Sequence, residues 1–385
     1  MKIICNISKN IYPIEIQNHQ QNMETFEGWL RYFDKIILIV QSPDSHYHHI
    51  HHKQIEAYLL PLYQNRILNY IMFILRGTWI GFSIRKEVSL WDGSEATSGG
   101  VIGVVLKYIS GKPFMVELMG QNFNLSHHEI GWLRWLFLKP IVLLACSVAD
   151  AIRCVSENIK QDAARYSWLR SKLNVVPSRV NTKTFFPEHY QMHRKSIRQE
   201  MALTENDLLL ISIGRLVPFK GLKYFIDAMP AIVEVCPNVK WLIVGEGSLR
   251  NELENQVNAL SLDRHVVFYG SVSFDKVPIM FAAADISILP STDEGMTRAV
   301  LEAMAMNLPV VCSKVGGLLD VIRHDDNGIF FESRNSKDMA DKVIRVCKDS
   351  KLRQRLAKSA RNDIEKYYEY EISIGKFIEL FKKLV

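Results

Sequence analysis

From about Leu208 onward, short apolar runs alternate with amphipathic stretches at a regular interval. "LLLISI" (Leu208–Ile213), "VKWLIV" (Val239–Val244), "HVVFY" (His265–Tyr269), "DISIL" (Asp285–Leu289), "PVVCS" (Pro309–Ser313) and "GIFF" (Gly328–Phe331) read as buried strands. Between them, "LKYFIDAMPAIVEV" and "LRNELENQVNAL" place apolar residues at helical spacing. Strands alternating with helices predict βαβ units and a parallel sheet, in which ligands bind beyond the carboxyl ends of the strands. The first half is noisier: "KIICNI", "KIILIV", "AYLLPL", "EVSLW", "PFMVEL" and "AIRCVS" read as strands with helical stretches between them. The halves match in layout without repeating in sequence. Prolines, polar residues and lost periodicity over "PSRVNTKTFFPEHYQ" (Pro177–Gln191) mark the boundary. The chain is therefore read as α/β, with αβα domains at 1–185 and 186–365 facing each other across a cleft. An amphipathic helix at 366–385 is expected to pack back on the first domain. Its last turn carries Lys382 and Lys383, as the helix dipole favours.

Composition narrows the class. A chain of 385 residues suits two domains, and 48% hydrophobic residues is enough to fill two cores. Six cysteines lie far apart, with no C-x-x-C, so free thiols in a reducing compartment are expected, not a disulfide frame or zinc site. The first twenty residues show no secretory signal pattern, and no uncharged apolar run reaches about 18 residues. The longest such run, Pro140 to Ala149, reads as core. A cytoplasmic protein is predicted. The net charge of +6 is confined to residues 1–185, with 20 Lys and Arg against 14 Asp and Glu; the remainder balances at 27 and 27. Surface scatter explains this plainly; an anionic membrane surface explains it more sharply. No nucleic-acid partner is expected.

The chemistry lies in loops that follow strands. "GRLVPFKG" (Gly214–Gly221) joins a strand to a helix, which places Arg215 and Lys220 near the positive end of a helix dipole. Cations there fit an anion such as phosphate between them; the plain alternative is two solvated loop residues. "STDEGMTRAVLEAMAMNLPVV" (Ser291–Val311) sets Glu294 in a turn and Glu302 inside a nearly all-apolar helix running from about Thr297 to Met306. Thr297 is a candidate N-cap, and Asn307 with Pro309 a stop signal. The N–H groups around Gly295, Met296 and Thr297 form a second anion cradle. Glu302, flanked by Ala299 and Ala305, has room to accept two hydrogen bonds from a ribose diol. A solvated Arg298–Glu302 ion pair is the plain alternative, disfavoured by the apolar neighbours. "VGEGSLR" with Gly245, "YGSVS" with Gly270, Ser271 and Val272, and "SKVGG" follow the other strands. There is no G-x-x-x-x-G-K-[ST], no Asp-x-Asp and no G-x-S-x-G. "HYHHIHH" (His46–His52) lies in what reads as a polar connection, where adjacent histidines rarely assemble a metal site. No metal is expected.

These motifs, with "VVFYGSV", "ADISILPS", "VGGLLDVI" and "ADAIRCVSENIK…KLNVVPSRVNTKTFFP" in order around them, resemble the retaining family-four glycosyltransferases. The resemblance is strong from Ala149 to about Phe331. It implies a GT-B fold of two Rossmann-like domains and a nucleotide-diphosphate-sugar donor held mainly by the second. It further implies that Arg215 and Lys220 take the diphosphate, that Glu294 sits at the sugar beside the amides of Gly295 to Thr297, and that Glu302 clamps the ribose. Gly214, Gly245, Gly270, Ser271 and Val272 would line the nucleotide, and Gly120 the sugar. The acceptor would be a glycan or lipid-linked hydroxyl. Two cations and a helix terminus could replace a metal at the leaving diphosphate, so no cofactor is implied. The first loop contains no glycine, and Met119 stands before Gly120 where the family often has a histidine. A catalytically weak or inactive nucleotide-sugar-binding protein is therefore the alternative, with a nucleotide-sugar epimerase behind it. "HHEIGWLRWLFLKPIVLL" (His127–Leu144) reads either as a basic aromatic helix for a membrane surface or as a core helix.

Overall fold

A computed structural model describes residues 1–16, 20–120, 132–204 and 206–385. The chain divides into two compact units, Met1–Pro177 with Ser373–Val385, and Ser178–Ile372.

The first unit carries β1 (Ile3–Ile11), α1 (Gln20–Trp29), β2 (Lys35–Gln41), β3 (His48–His52), β4 (Ile55–Leu60), α2 (Arg66–Ile84), β5 (Leu90–Gly93) and α3 (Ser98–Ser110). It continues with β6 (Phe114–Leu118), α4 (Trp132–Val148), β7 (Ala151–Cys154), α5 (Glu157–Ala163) and β8 (Leu173–Val175). The sheet order is β3-β4-β2-β1-β5-β6-β7-β8. Every pairing is parallel except β3 with β4, where His49 faces Tyr58. This corrects the reading of His46–His52 as a polar connection. The hairpin lets His49 stack on Tyr58, with ring centroids 4.3 Å apart, and turns the polar run into an edge strand. Asn65 caps α2 by accepting from the amides of Ile67 and Leu68.

A buried polar group crosses this sheet. Asn6 Nδ2 donates to Asp92 Oδ2 at 2.7 Å, and Glu117 pairs with Arg153, whose Nε donates to Val176 O at 3.1 Å. Burial, and next the charge of Glu117, push the Asp92 carboxyl well above its usual range. A raised folded pKa means that the folded state favours protonated Asp92. That stability is fully present below the unfolded value near pH ~4 and lost as pH rises through the folded one. Asp92→Asn, neutral at every pH, should raise Tm by about 2–4 °C at pH 8 and give no gain near pH ~4. An equal difference at both pH values in thermal melts would refute the assignment.

The second unit carries α6 (Gln191–Glu200), β9 (Leu208–Ile213), α7 (Leu222–Val235), β10 (Val239–Val244), α8 (Arg250–Ala259), β11 (Val266–Gly270), α9 (Val277–Ala283) and β12 (Ile286–Leu289). It then runs through α10 (Arg298–Ala305), β13 (Val310–Ser313), α11 (Leu318–Val321), β14 (Ile329–Phe331), α12 (Ser336–Lys348) and α13 (Ser350–Asp363). All six strands are parallel, in the order β11-β10-β9-β12-β13-β14. Trp241 and Phe225 meet edge to face in its core at 4.7 Å. The indole N–H donates to Ser212 Oγ at 3.0 Å, and Ser212 donates to Ile288 O at 2.7 Å. The buried polar atoms thereby lock β10, β9 and β12 together.

The division falls at Pro177, earlier than the 185/186 boundary read from the sequence. Ser178 Oγ donates to Met296 O at 3.1 Å, and Val180 bridges to Glu369, which ties this segment to the second unit. The last helix, α14 (Tyr370–Leu384), begins later than Lys366, because a π-helical turn at Ile364–Tyr368 ends in extended Glu369. From Ser373 it belongs to the first unit, where Phe377 lies 5.4 Å from Trp29 and Phe381 5.0 Å from Phe33.

Candidate active site

Four neighbouring strands of the second unit end in the predicted loops. Gly270 closes β11, Gly245 follows β10, Gly214 follows β9, and the Glu294 turn follows β12. Backbone hydrogen bonds link one loop to the next. Gly245 N donates to Gly270 O at 2.8 Å and Gly214 N to Val244 O at 2.9 Å. Thr292 N donates to Phe219 O at 2.8 Å, and Gly317 N to Glu294 O at 3.1 Å. The loops form a rigid rim along the carboxyl edge of the sheet.

Two glycines make this packing feasible. Gly221 has φ 65°, and a Cβ there would lie 2.0 Å from Pro290 O. Gly245 has φ 142°, and its Cβ would meet Gly214 O at 1.9 Å. Any side chain at either position would drive neighbouring loops apart.

Lys220 and Glu294, 74 residues apart, meet as an ion pair in this rim. Ser291 Oγ donates to the same Glu294 oxygen at 2.8 Å. Glu294 is only 8% exposed, so its charge is held by a cation and a hydroxyl, as a buried carboxylate requires. The buried Cys312 thiol beneath is raised by burial and then by the Glu294 charge. Lys220 is thus no solvated loop cation. Arg215, by contrast, is exposed, and its side chain makes no hydrogen bond or ion pair among the described residues. The two cations therefore differ. One is fixed on the carboxylate, and the other presents a guanidinium fork to solvent.

Glu302 lies one turn into α10 and is 5% exposed, which excludes the solvated face considered from sequence. Thr297 takes the N-cap position with φ −75° and ψ 131°, although its side chain makes no capping hydrogen bond. The N–H groups of Gly295, Met296 and Thr297 donate to no backbone carbonyl among the described residues. Asn307 ends the helix at φ 59°, a left-handed conformation that asparagine tolerates. Ser271 is exposed and Val272 half-buried after β11. Gly120 stands in the first unit, just after β6, and a Cβ there would meet no atom of the described residues within 4 Å. Ser291 escaped the sequence reading. Its one signal is position, the first residue after the proline that ends β12.

Among the described residues, His49, His51 and Glu56 bring potential metal ligands within 4.8 Å of one another. Glu56 is already engaged by Lys35 Nζ at 2.5 Å, Tyr58 OH at 2.7 Å and His49 Nε2 at 2.7 Å. Burial would raise its carboxyl, but these partners hold it down at about 2. The trio serves as the clasp of the β3–β4 hairpin.

Comparison with known proteins identifies the family and the fold. Residues 193–363 match the family described as glycosyl transferases group 1. An uncharacterized glycosyltransferase of Methanocaldococcus jannaschii is 30% identical over 288 residues, covering 73% of this chain and 72% of its own. The UDP-Gal:alpha-D-GlcNAc-diphosphoundecaprenol alpha-1,3-galactosyltransferase of Escherichia coli is 24% identical over 308 residues, covering 78% and 77%. The structure of HepE from Anabaena, solved in complex with UDP, superposes with a TM-score of 0.77 at 20% identity over 100% of both chains. That likeness shows the fold, which is GT-B.

Proposed function

The chain belongs to the glycosyl transferases group 1 family, and on that premise we propose that it is a retaining, metal-independent glycosyltransferase. It moves a sugar from a nucleotide-diphosphate-sugar donor to a glycan or lipid-linked acceptor hydroxyl, in the cytoplasm. The observation that carries this reading is the rim of the second unit: the Lys220–Glu294 pair braced by Ser291, with exposed Arg215 on the neighbouring loop and buried Glu302 in α10.

Arg215 and Lys220 bind the diphosphate, and the amides of Gly295 to Thr297 add a helix terminus. Together they stabilise charge that grows on the leaving oxygen, the work a divalent cation would otherwise do. The bond between the anomeric carbon and that oxygen breaks, with its electron pair passing to the diphosphate. The acceptor oxygen attacks on the same face, and its proton passes to the departing phosphate, so configuration is retained. Glu294 holds the sugar hydroxyls, and Glu302 takes the ribose diol. The backbone of Gly270 to Val272 edges the base. UDP is the first nucleotide to test, since the E. coli relative is named for UDP-Gal and the Anabaena protein was solved with UDP. The E. coli relative's diphosphoundecaprenol substrate supports a lipid-linked acceptor here. All six cysteines are free, in keeping with a reducing compartment.

Incubation with a panel of UDP-, GDP- and ADP-sugars plus candidate acceptors should yield a product of retained anomeric configuration by NMR, at a rate EDTA does not change. Inversion, or loss of the rate with EDTA, would overturn the corresponding part. Donor binding without turnover would favour the binding-protein alternative, which Met119 before Gly120 keeps in view. Donor conversion without acceptor would favour an epimerase.

A further inference from the structure

Helix α2 is apolar on both of its faces, and only one is covered. Asn69, Phe73, Gly77, Ile80, Gly81 and Ile84 point inward and are buried. Gly77 and Gly81 let α2 seat closely on α3, for a Cβ at either would strike Ile102 or Leu106. The opposite face carries Ile67, Leu68, Ile71, Leu75, Trp79 and Phe82, all exposed and at spacings that align them along one stripe. Ile67 is 74%, Leu75 60% and Trp79 73% exposed, values that surface scatter of single hydrophobes does not explain. A helix apolar all round belongs in a core or against lipid.

The surrounding charge indicates which partner covers it. Between Glu56 and Glu87 the chain has no acidic residue, while Arg66, Arg76, Arg85 and Lys86 supply four positive charges. Arg66 opens α2, and Arg85 and Lys86 close it, so the apolar stripe is bracketed by cations. Arg85 lays its guanidinium over the Phe82 ring at 3.8 Å, so a cation is held directly at the end of the apolar stripe. Beside the first turn of α2 lies a cavity of about 1190 Å³, lined by Arg66, Ile67, Tyr70, Tyr63, Phe137 and Lys9 among others. The Tyr70 hydroxyl is buried and has no hydrogen-bond partner among the described residues.

We propose that the outward face of α2 docks flat on an anionic bilayer, and that the adjoining cavity receives the polar head of an acceptor whose tail stays in that bilayer. The helix does not span the membrane, because its inner face is committed to the fold. The proposal rests on the reading of the acceptor as lipid-linked. It places membrane contact on α2; the first residues of the His127–Leu144 segment lie outside the described residues.

Flotation of the full chain with vesicles tests it. The protein should float with phosphatidylcholine vesicles containing about one third phosphatidylglycerol, and at least about tenfold less with phosphatidylcholine alone. Leu75→Glu with Trp79→Glu should lower binding to the anionic vesicles by at least about tenfold without moving the melting transition, since both side chains are exposed. Arg85→Gln with Lys86→Gln should cost about fivefold per cation with anionic vesicles and little with neutral ones. A wild-type chain that does not float, or variants that float equally well, would overturn the proposal. So would a wild-type dimer that the Leu75/Trp79 variant splits into monomers, since a second copy would then be the cover. Calorimetry with UDP-sugars separates the two readings. Vesicle binding without any donor binding would leave this surface standing and remove the transferase reading, whereas donor binding without flotation would do the reverse.

Discussion

Lys220→Ala should lower the turnover of bound donor about 10²–10³-fold, the range seen when one preorganised charge partner of a transition state is removed. The residue has two tasks that the structure allows to be separated. It neutralises Glu294, which is buried and also accepts the Ser291 hydroxyl. It also stands in a loop whose neighbour Arg215 is exposed, where a diphosphate would sit between them. The alanine variant therefore strands a buried carboxylate, at a cost of roughly 1–3 kcal/mol in stability. Glu294→Gln removes that stranded charge. The double variant, Lys220→Ala with Glu294→Gln, should recover most of the melting temperature and none of the activity. Thermal melts and kcat at saturating donor, measured on all four proteins, give the cycle. Recovery of turnover together with stability would mean that Lys220 serves the fold alone.

What the amino-acid pattern conveys and what it omits follow from burial and distance. The second unit's strands were legible because a parallel strand covered on both faces is a continuous apolar run, as in "VKWLIV". β3 was not, because an edge strand made largely of histidine has no apolar period to read, and β8 is only three residues long. The site residues were legible one by one, since a loop after a parallel strand is where function collects. Their pairing was not. No periodicity joins Lys220 to Glu294, and Ser291 became meaningful only when its hydroxyl was seen on that carboxylate. The burial of Glu302 could be read from its neighbours, because a polar group in an apolar stretch of helix has little water to reach. The α2 stripe was hidden for the converse reason. A helix apolar on every side shows no period by which exposed and buried faces can be told apart.

Glu302→Ala should raise the donor KM by about 10²-fold and leave kcat nearly unchanged. A charged carboxylate accepting from two ribose hydroxyls gains about 1.5–3 kcal/mol for each, part of which replaces contacts already made with water. The ribose is remote from the bond that breaks, so this binding is equal in ground and transition states and appears in KM. Glu302 is suited to the task because α10 fixes it. Its carbonyl accepts the Met306 amide at 2.9 Å, and the flanking Ala303, Met304 and Ala305 are buried, so the side chain starts from a rigid backbone. Arg298, four residues earlier on the same helix, offers a competing explanation in which Glu302 serves only the helix. Deoxy donors distinguish the two. If the carboxylate clamps the diol, wild type should lose affinity for 2′-deoxy and 3′-deoxy donors, while Glu302→Ala should bind them and the parent donor alike. If it serves the helix, the alanine variant should melt earlier and still discriminate among the three donors as the wild type does.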